Sequence, residues 1–390
     1  MQKQYDYIIA GMGGSGLGLA WQLAHHPVLS KKKVLLIDKG PKNQNDRTWC
    51  FWEKGEGPFE DIVFKKWNEV NFRGNDFDGR LKMAPYQYKM IRGIDFYNQV
   101  LSFIQKFSNF EIRYELVQSF KDGPQSAAVI TENNIYYADY VFSSVMPGNM
   151  DTAGYDYLLQ HFKGYFLESK DPVFTPGVAT FMDFKVEQDN EVRFFYVLPS
   201  DEHRALVEIA IFSEKIWDDS QYDQFLIDYI NNSLQIEDLE IKEMEFGIIP
   251  MTDYPFENHQ GKRLINIGTA GGQVQGSTGF AFKNMQLNAA EIVKALADGK
   301  YPIPAKTLLK QRYKLYDDIL LGILKKRTLV GKDIFVNIFK NNPTHKVFDF
   351  LNRTSSLSTD LSIMAKLPQW PFIRSLGRVV FRSISRKFGI

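Results

Sequence analysis

Residues 5–40, with the sequence YDYIIAGMGGSGLGLAWQLAHHPVLSKKKVLLIDKG, decide the fold of this chain of 390 residues. A short apolar run is followed by a glycine turn, a helix-forming segment and a second apolar run that ends at an acidic residue. This order of strand, turn, helix and strand is typical of the opening unit of a doubly wound α/β sheet. We therefore expect a dinucleotide-binding domain at the beginning of the chain.

The glycine turn has the spacing of a dinucleotide site. Gly11, Gly13 and Gly16 form the pattern GxGxxG, in which small residues let the backbone approach a pyrophosphate while the helix N-terminus faces its charge. Asp38 ends the second strand, where a carboxylate can accept the hydrogen bonds of a ribose. The predicted cofactor residues of this unit are Gly11, Gly13, Gly14, Gly16, Asp38 and Lys39.

A second glycine turn, late in the chain, favours FAD over NAD. It follows the apolar run RLINI, and the stretch QGSTGFAF then leads into a helix. The arrangement resembles the late Gly-Asp motif of flavin domains of the glutathione-reductase or hydroxylase type, except that Thr269 stands where the aspartate usually lies. This departure argues mildly against a hydroxylase. The further predicted cofactor residues are Gly268, Gly271, Gly272, Thr278 and Gly279.

Composition excludes several other classes of protein. A formal net charge of +1 gives no overall preference for nucleic acid, and no nucleic-acid partner is expected. Cys50 is the only cysteine, which excludes an intrachain disulfide, and the histidines show no metal-ligand spacing, so we expect no metal. The sequence lacks a secretory signal and any apolar run long enough for a transmembrane helix, which predicts a cytoplasmic protein.

The rest of the chain indicates two further regions. Short apolar or alternating runs between residues 164 and 250 predict a second sheet, whereas residues 41–110 are irregular and are expected to form loops and helices. The expected fold class is α/β: an FAD-binding, glutathione-reductase- or hydroxylase-like doubly wound sheet, an inserted β-rich substrate domain and a helical C-terminal region. The expected boundaries are 1–80, 115–150 and 255–300 for the FAD-binding domain, 81–114 and 151–254 for the substrate domain, and 301–390 for a membrane-facing C-terminal region.

Glu208 is the main catalytic candidate. It lies between Val207 and Ile209 in a strand that is otherwise apolar on both faces, an unfavourable place for a carboxylate unless it is paired, protonated or functional. Desolvation would raise its pKa, and a carboxylic acid that stays protonated near neutral pH can donate a proton to an alkene. The alternative interpretation is a strand glutamate that faces solvent.

Several stretches resemble the bacterial lycopene beta-cyclases. DRTWCFW, at residues 46–52, looks like the signature stretch of that family, and GTAGG followed by STGFAF is similar to its version of the late flavin motif. Residues 343–376 resemble the family's C-terminal region. Glu208, shortly after Arg204, matches the glutamate of a Phe-Leu-Glu-like strand, and Glu245 matches an acidic residue upstream of an Ile-Pro-Met sequence. The resemblance covers nearly the whole chain.

The resemblance implies a flavin-dependent isomerase that converts lycopene, by way of gamma-carotene, to beta-carotene without net electron transfer. It implies Glu208 and Glu245 as catalytic residues, although Glu245 could hydrogen-bond Glu208, take up the departing proton or simply end a strand. It also implies FAD in its reduced form as cofactor, with NAD(P)H as a candidate electron donor. Because a carbocation needs a dry cavity whose walls do not attack it, aromatic rings are suited to line the site. The predicted substrate-binding residues are Arg47, Trp49, Phe51 and Trp52.

Two other functions stay open. An FAD-dependent monooxygenase or prenyl reductase acting on an isoprenoid lipid would share the scaffold but change the oxidation state of its substrate. A non-catalytic carotenoid or lipid carrier would bind pigment without turnover, and nothing would require Glu208.

The C-terminal tail combines basic and apolar residues and has no acidic residue after Asp360. Such a stretch is suited to an anionic membrane surface, although a terminal helix packed on the body of the protein has a similar pattern. We expect peripheral contact with membrane lipid at the inner face of the cell membrane.

Overall fold

The computed structural model describes residues 4–148, 150–256 and 260–388, and within them the chain forms three sheets and nine α-helices. The strands are β1 (Tyr5–Ala10), β2 (Val34–Asp38), β3 (Thr48–Glu53), β4 (Lys65–Trp67), β5 (Glu69–Gly74), β6 (Phe77–Lys82), β7 (Gln87–Arg92), β8 (Phe110–Tyr114), β9 (Val117–Asp122), β10 (Ala127–Thr131), β11 (Ile135–Ser143), β12 (Tyr157–Ser169), β13 (Val178–Asp183), β14 (Val192–Pro199), β15 (Arg204–Ser213), β16 (Leu239–Thr252) and β17 (Leu264–Asn266). The helices are α1 (Gly14–His25), α2 (Gly93–Ile104), α3 (Asp219–Asp228), α4 (Phe282–Ala297), α5 (Leu308–Lys326), α6 (Gly331–Asn341), α7 (Thr344–Leu351), α8 (Leu357–Met364) and α9 (Gln369–Phe388).

The first sheet contains the predicted dinucleotide-binding unit. Its strand order is β8-β2-β1-β11-β10-β9, with β17 paired to β11, and β1 is parallel to both β2 and β11. Every residue of β2 is buried, as expected for a parallel strand covered on both faces. Helices α2 and α4 both pack against α1, so the late part of the chain returns to the first glycine turn.

The second sheet confirms the predicted β-rich region between residues 164 and 250. Its seven strands have the order β16-β12-β15-β14-β13-β5-β6. One face forms an apolar cluster with residues of α5, α6 and α7, and the opposite face forms a separate cluster with α3. The long strand β12 pairs with β15 on one side and with β16 on the other. β15 contains Glu208 and β16 contains Glu245, and these two strands are called the acidic strands below.

The sheets divide the chain at different places from those expected from sequence. β5 and the first residues of β6 lie within residues 1–80 but belong to the second sheet, because β5 pairs in parallel with β13 and β6 pairs with β5. α2 and β8, within residues 81–114, belong with the first sheet, because β8 extends that sheet beside β2 and α2 packs against α1. Residues 41–110, expected to form loops and helices, contain five strands, three of which form a small sheet of order β3-β7-β4. Short strands do not reveal their pairing partners locally, which is why these boundaries differ.

The C-terminal region is helical, as predicted, and hydrogen bonds and ion pairs hold α9 against the rest of the protein. The Ser375 hydroxyl donates to the Ile319 carbonyl of α5, 2.9 Å away. Arg382 forms ion pairs with Asp156 and Asp253, at 3.0 and 2.8 Å. No described helix is both long enough and apolar enough to cross a bilayer.

Candidate active site

The first glycine turn is shaped for a close approach of a ligand. Gly11 has φ +96°, and a Cβ atom on Gly16 would lie 1.9 Å from the Gly11 carbonyl oxygen, so no larger residue fits there. A Cβ on Gly13 would meet nothing within 4 Å, because the space beside this residue is open. The helix α1 begins at Gly14 and directs its unpaired N–H groups toward this opening. The turn therefore fits a pyrophosphate.

Asp38 lies beside this turn, as the sequence predicts. Its Oδ2 atom accepts a hydrogen bond from the Met12 backbone N–H at 2.6 Å and forms an ion pair with Lys42 at 3.1 Å. Lys39, the next residue, is exposed. The carboxylate is thus held at the edge of the glycine turn, at the end of β2, where a ribose would lie.

The late glycine turn packs directly against the first one. Gly268, with φ +64°, is so close to α1 that a Cβ on it would lie 3.1 Å from the Ser15 Cβ atom. Gln286 of α4 donates to the Gly14 carbonyl at 3.0 Å. Two segments that are distant in sequence therefore form one continuous cradle.

The other late residues shape the turn or face the second sheet. A Cβ on Gly271 would lie 2.4 Å from the Asn266 carbonyl oxygen, and Gly272 adopts φ +76°. Gly279, with φ +74°, lies against the Gln160 side chain of β12, and the Thr278 hydroxyl donates to the Gln275 side chain at 2.9 Å. The predicted cofactor residues thus extend from the first glycine turn to the boundary with the second sheet.

Glu208 and Glu245 come together across the second sheet. Gly164 of β12 is directly opposite Glu208 of β15 and also directly opposite Glu245 of β16, so the three residues form one row. Tyr196 of β14 continues the row on the other side of Glu208. The two carboxyls are joined by a hydrogen bond above Gly164. Of the roles left open for Glu245 by the sequence, the structure shows the hydrogen bond to Glu208.

The two carboxyls differ in their surroundings. Burial raises the pKa of Glu208 well above its usual range, and the neighbouring charge and hydrogen bond of Glu245 raise it further. Burial also raises the pKa of Glu245, but the hydrogen bonds from Glu208 and Thr48 and the charge of Arg47 oppose this effect. The Thr48 hydroxyl donates to Glu245 Oε2 at 2.8 Å. These surroundings favour the protonated form of Glu208 more strongly than the protonated form of Glu245.

Strand β3 contains most of DRTWCFW, and its side chains alternate between the second sheet and the cofactor domain. Cys50 and Trp52 belong to the apolar cluster on the acidic side of the second sheet, together with Tyr88. Burial raises the pKa of the Cys50 thiol, and the charges of Glu208 and Glu245 add to this effect, which places the thiol beside the carboxyl pair. Trp52 packs edge-on against Phe280 at 4.7 Å between ring centroids. This face of β3 is a wall of the acidic site.

The opposite face of β3 belongs to the cofactor domain. Trp49 stacks on Phe282 of α4 with 5.1 Å between ring centroids, and its ring lies 3.1 Å from where a Cβ of Gly14 would be. Phe51 also stacks on Phe282, at 5.3 Å. The Arg47 side chain is largely exposed. Of the four predicted substrate residues, only Trp52 lies in the cluster on the acidic side.

Sequence reasoning missed several residues of this site. They are Thr48, Cys50, Tyr88, Gly164 and Tyr196. The two-residue periodicity of strands could have indicated Thr48 and Cys50, because both alternate with Trp49 and share the face of Trp52. The others depend on pairing between distant strands. Over the part of the chain that the structure describes, no group of three or more metal-ligating side chains is placed to hold a metal ion.

Solved structures with this architecture include several flavoproteins. A geranylgeranyl bacteriochlorophyll reductase-like protein from Thermoplasma acidophilum has a TM-score of 0.68 at 15% identity, over 96% of this chain and 99% of its own. A flavoprotein/dehydrogenase from Cytophaga hutchinsonii has a TM-score of 0.61 at 11% identity, over 97% and 99%. CtdE, solved with FAD and a substrate, has a TM-score of 0.55 at 12% identity, over 99% and 100%. These similarities confirm the predicted fold class of FAD-binding, hydroxylase-like α/β proteins.

Sequence comparison identifies the family. No curated protein matches the chain significantly. The family model described as lycopene cyclase protein, however, matches residues 6–377, nearly the entire chain, and this range includes DRTWCFW, both glycine turns and both acidic strands. The resemblance predicted from these motifs is therefore confirmed, and the chain belongs to the lycopene cyclase protein family.

Proposed function

We propose that this protein is an FAD-dependent lycopene beta-cyclase that converts lycopene to beta-carotene by way of gamma-carotene. The observation that carries this proposal is the Glu208–Glu245 carboxyl pair, placed beside an aromatic cluster and next to the cofactor domain. A redox enzyme acting through flavin alone has no need of a protonated carboxylic acid in an apolar site. An enzyme that protonates an alkene, in contrast, needs a carboxylic acid that keeps its proton, and an apolar site is what keeps that acid protonated.

In the proposed reaction, Glu208 donates its proton to C2 of an acyclic end group, which leaves a cation at C1. The C5–C6 double bond attacks that cation, a C1–C6 bond closes the ring, and the charge moves to C5. Loss of the C6 proton then forms the ring double bond, and the carboxyl pair regains a proton. Product and substrate are isomers, because one proton enters and one leaves for each ring.

The residues around the pair suit a cationic intermediate. Trp52, Tyr88, Phe181 and Tyr196 belong to one cluster, in which ring faces can stabilise positive charge without reacting with it. The apolar side chains of this cluster offer water few partners, and a site that admits little water protects the cation from capture as an alcohol. We assign the aromatic wall this shielding role.

The cofactor would be held by the two glycine turns and Asp38. In its reduced form, with NAD(P)H as the proposed electron donor, bound FAD would supply an electron-rich ring that stabilises positive charge. The chain's own residues provide the cradle, the acid and the apolar, aromatic surroundings of the acid.

Isotope labelling in heavy water tests the reaction. Purified protein with reduced FAD and lycopene should place one deuteron at C2 for each ring formed, while losing the C6 hydrogen. In ordinary water the product should keep the mass of lycopene. Mass spectrometry of the extracted carotenoid distinguishes the alternatives, since a prenyl reductase adds hydrogen, a monooxygenase adds oxygen, and a carrier leaves lycopene unchanged. Rings free of solvent deuterium would refute the proposal.

We also propose that α9 contacts the membrane in which such a substrate resides. Its exposed large apolar residues follow helical spacing and form one stripe: Trp370, Ile373, Leu376, Val380, Phe381 and Ile384. Arg374, also exposed, lies at the border of this stripe and suits anionic lipid headgroups. Arg378 and Arg382, in contrast, are ion-paired with Asp156 and hold the opposite face of the helix against the protein. One face of α9 is thus held against the protein, while the other presents apolar side chains to the solvent.

The double variant Trp370→Ser/Phe381→Ser should bind vesicles of mixed phosphatidylglycerol and phosphatidylcholine at least about tenfold more weakly, because each ring contributes on the order of 1 kcal/mol when it enters the lipid interface. The two side chains are 71% and 69% exposed, so the fold should be preserved. Leu308→Ser, at a residue 85% exposed outside α9, is the matched control. Sedimentation with vesicles measures binding. Vesicle binding by the double variant that is as strong as binding by Leu308→Ser would contradict the membrane assignment.

A further inference from the structure

The two acidic strands of the site do not pair with each other. β12 lies between β15 and β16, and Gly164 is the residue of β12 that separates Glu208 from Glu245. Neighbouring strands lie about 4.8 Å apart, so the Cα atoms of the two glutamates are separated by roughly 10 Å. The two carboxyls can therefore meet only in the space directly above residue 164.

Gly164 keeps this space open. A Cβ atom on it would lie 3.1 Å from Cβ and 3.4 Å from Cγ of Glu208, and 2.8 Å from Cδ1 of Leu206. Any side chain would therefore press on the stem of Glu208, and a branched one would fill the space in which the carboxyls meet. The φ of Gly164 lies outside the left-handed region, so the backbone itself does not require glycine. Glycine usually weakens a strand interior, so its presence here needs another reason.

The partner of Glu208 is held from its other side. Thr48 donates to Glu245, and the charge of Arg47 favours ionised Glu245, whereas the groups nearest to Glu208 do not favour its ionisation. The titratable groups that face the pair are Cys50 of β3, Tyr88 of β7 and Tyr196 of β14, with Arg47 beside Glu245. These contacts favour a negative charge on Glu245 and a proton on Glu208.

We propose that Gly164 is a positioning residue, whose missing side chain lets the Glu208 and Glu245 carboxyls meet across β12 and share one proton. This inference rests on the proposed role of Glu208 as the acid. A negative charge on Glu245 disfavours a second one beside it, which adds to the effect of burial in raising the pKa of Glu208. Separating the two carboxyls would weaken this repulsion, lower the pKa of Glu208 and leave less of the protonated acid at neutral pH.

Infrared titration of the FAD-loaded protein measures this effect without any substrate. The carbonyl band of the protonated carboxyl is followed against pH, and its absence in Glu208→Gln assigns it to Glu208. In Gly164→Val the band should disappear at a pH lower by about one unit or more than in the unchanged protein, and in Gly164→Ala the shift should be smaller. In a Glu245→Gln background, Gly164→Val should cause no further shift, because the charged partner is already gone.

Gly79→Ala, in the edge strand β6 of the same sheet, is the control, since the three atoms nearest to the added methyl all belong to the Phe77 ring, a side chain that can turn aside, and none belongs to the carboxyl pair. It should titrate like the unchanged protein. A Gly164→Val protein that retains FAD but titrates normally, or one that shifts equally with and without Glu245, would overturn the inference. If the valine variant does not fold, Gly164→Ala replaces it and the same two outcomes decide. Because no turnover is needed, a protein that forms no rings would refute the proposed function while the titration still tests the carboxyl pair.

Discussion

Glu208→Gln should lower the rate of ring formation by at least about a hundredfold, the lower end of general-acid effects. Glutamine preserves the size of the side chain and a hydrogen bond to Glu245, but its amide cannot deliver a proton to carbon. Glu208 belongs to neither glycine turn, so FAD content should stay unchanged. The variant should therefore bind lycopene and flavin and yet accumulate unreacted substrate.

Carotenoid analysis of lycopene-producing bacteria, followed by rate measurements on purified protein in liposomes, measures this loss. Glu243→Gln provides a control on β16, because this exposed glutamate lies two residues from Glu245 and accepts a hydrogen bond from the Asn45 side chain at 3.1 Å. Its turnover should stay close to that of the unchanged protein. Near-normal turnover of Glu208→Gln would show that another group protonates the substrate.

Gly16→Val should abolish FAD binding, with less than about a tenth of the flavin retained after purification. The new side chain begins only 1.9 Å from the Gly11 carbonyl oxygen, and backbone cannot move aside as a flexible side chain can. The helix α1 would be pushed away from β1, and the N–H groups at its beginning would no longer converge on a pyrophosphate. Flavin absorbance after heat release, relative to protein, measures the content.

Two further variants separate loss of the site from loss of the fold. Gly177→Ala, at an exposed glycine whose added methyl meets nothing within 4 Å, should retain all its FAD. Asp38→Asn keeps the shape of the turn and should bind FAD about tenfold more weakly, because it replaces a charge-assisted hydrogen bond to the ribose by a neutral one. A flavin-loaded Gly16→Val protein would refute the cofactor site assigned to this turn.

The cofactor half of the fold was predictable because its signals are local. Gly11 and Gly16 are required by a tight connection between one strand and the next helix, and Asp38 follows at the end of the next strand of the same unit. The sequence also indicated that Glu208 is unusual, since a single charge in an apolar strand is visible without knowing its neighbours. Local spacing could not assign β5 and β6 to the second sheet, because a short alternating strand can pair with many partners.

Residue chemistry along the chain thus accounts for the glycine turns, the β-rich region, the helical C-terminal region and the two acidic candidates. Only the folded sheet brings Glu208 and Glu245 together, by laying β12 between their strands with a glycine at the crossing point. Only the packing of β3 directs Trp52 to the acids and Trp49 to the cofactor domain. The physical reason is that strand pairing and burial are decided by contacts between segments far apart in sequence, which no local periodicity contains.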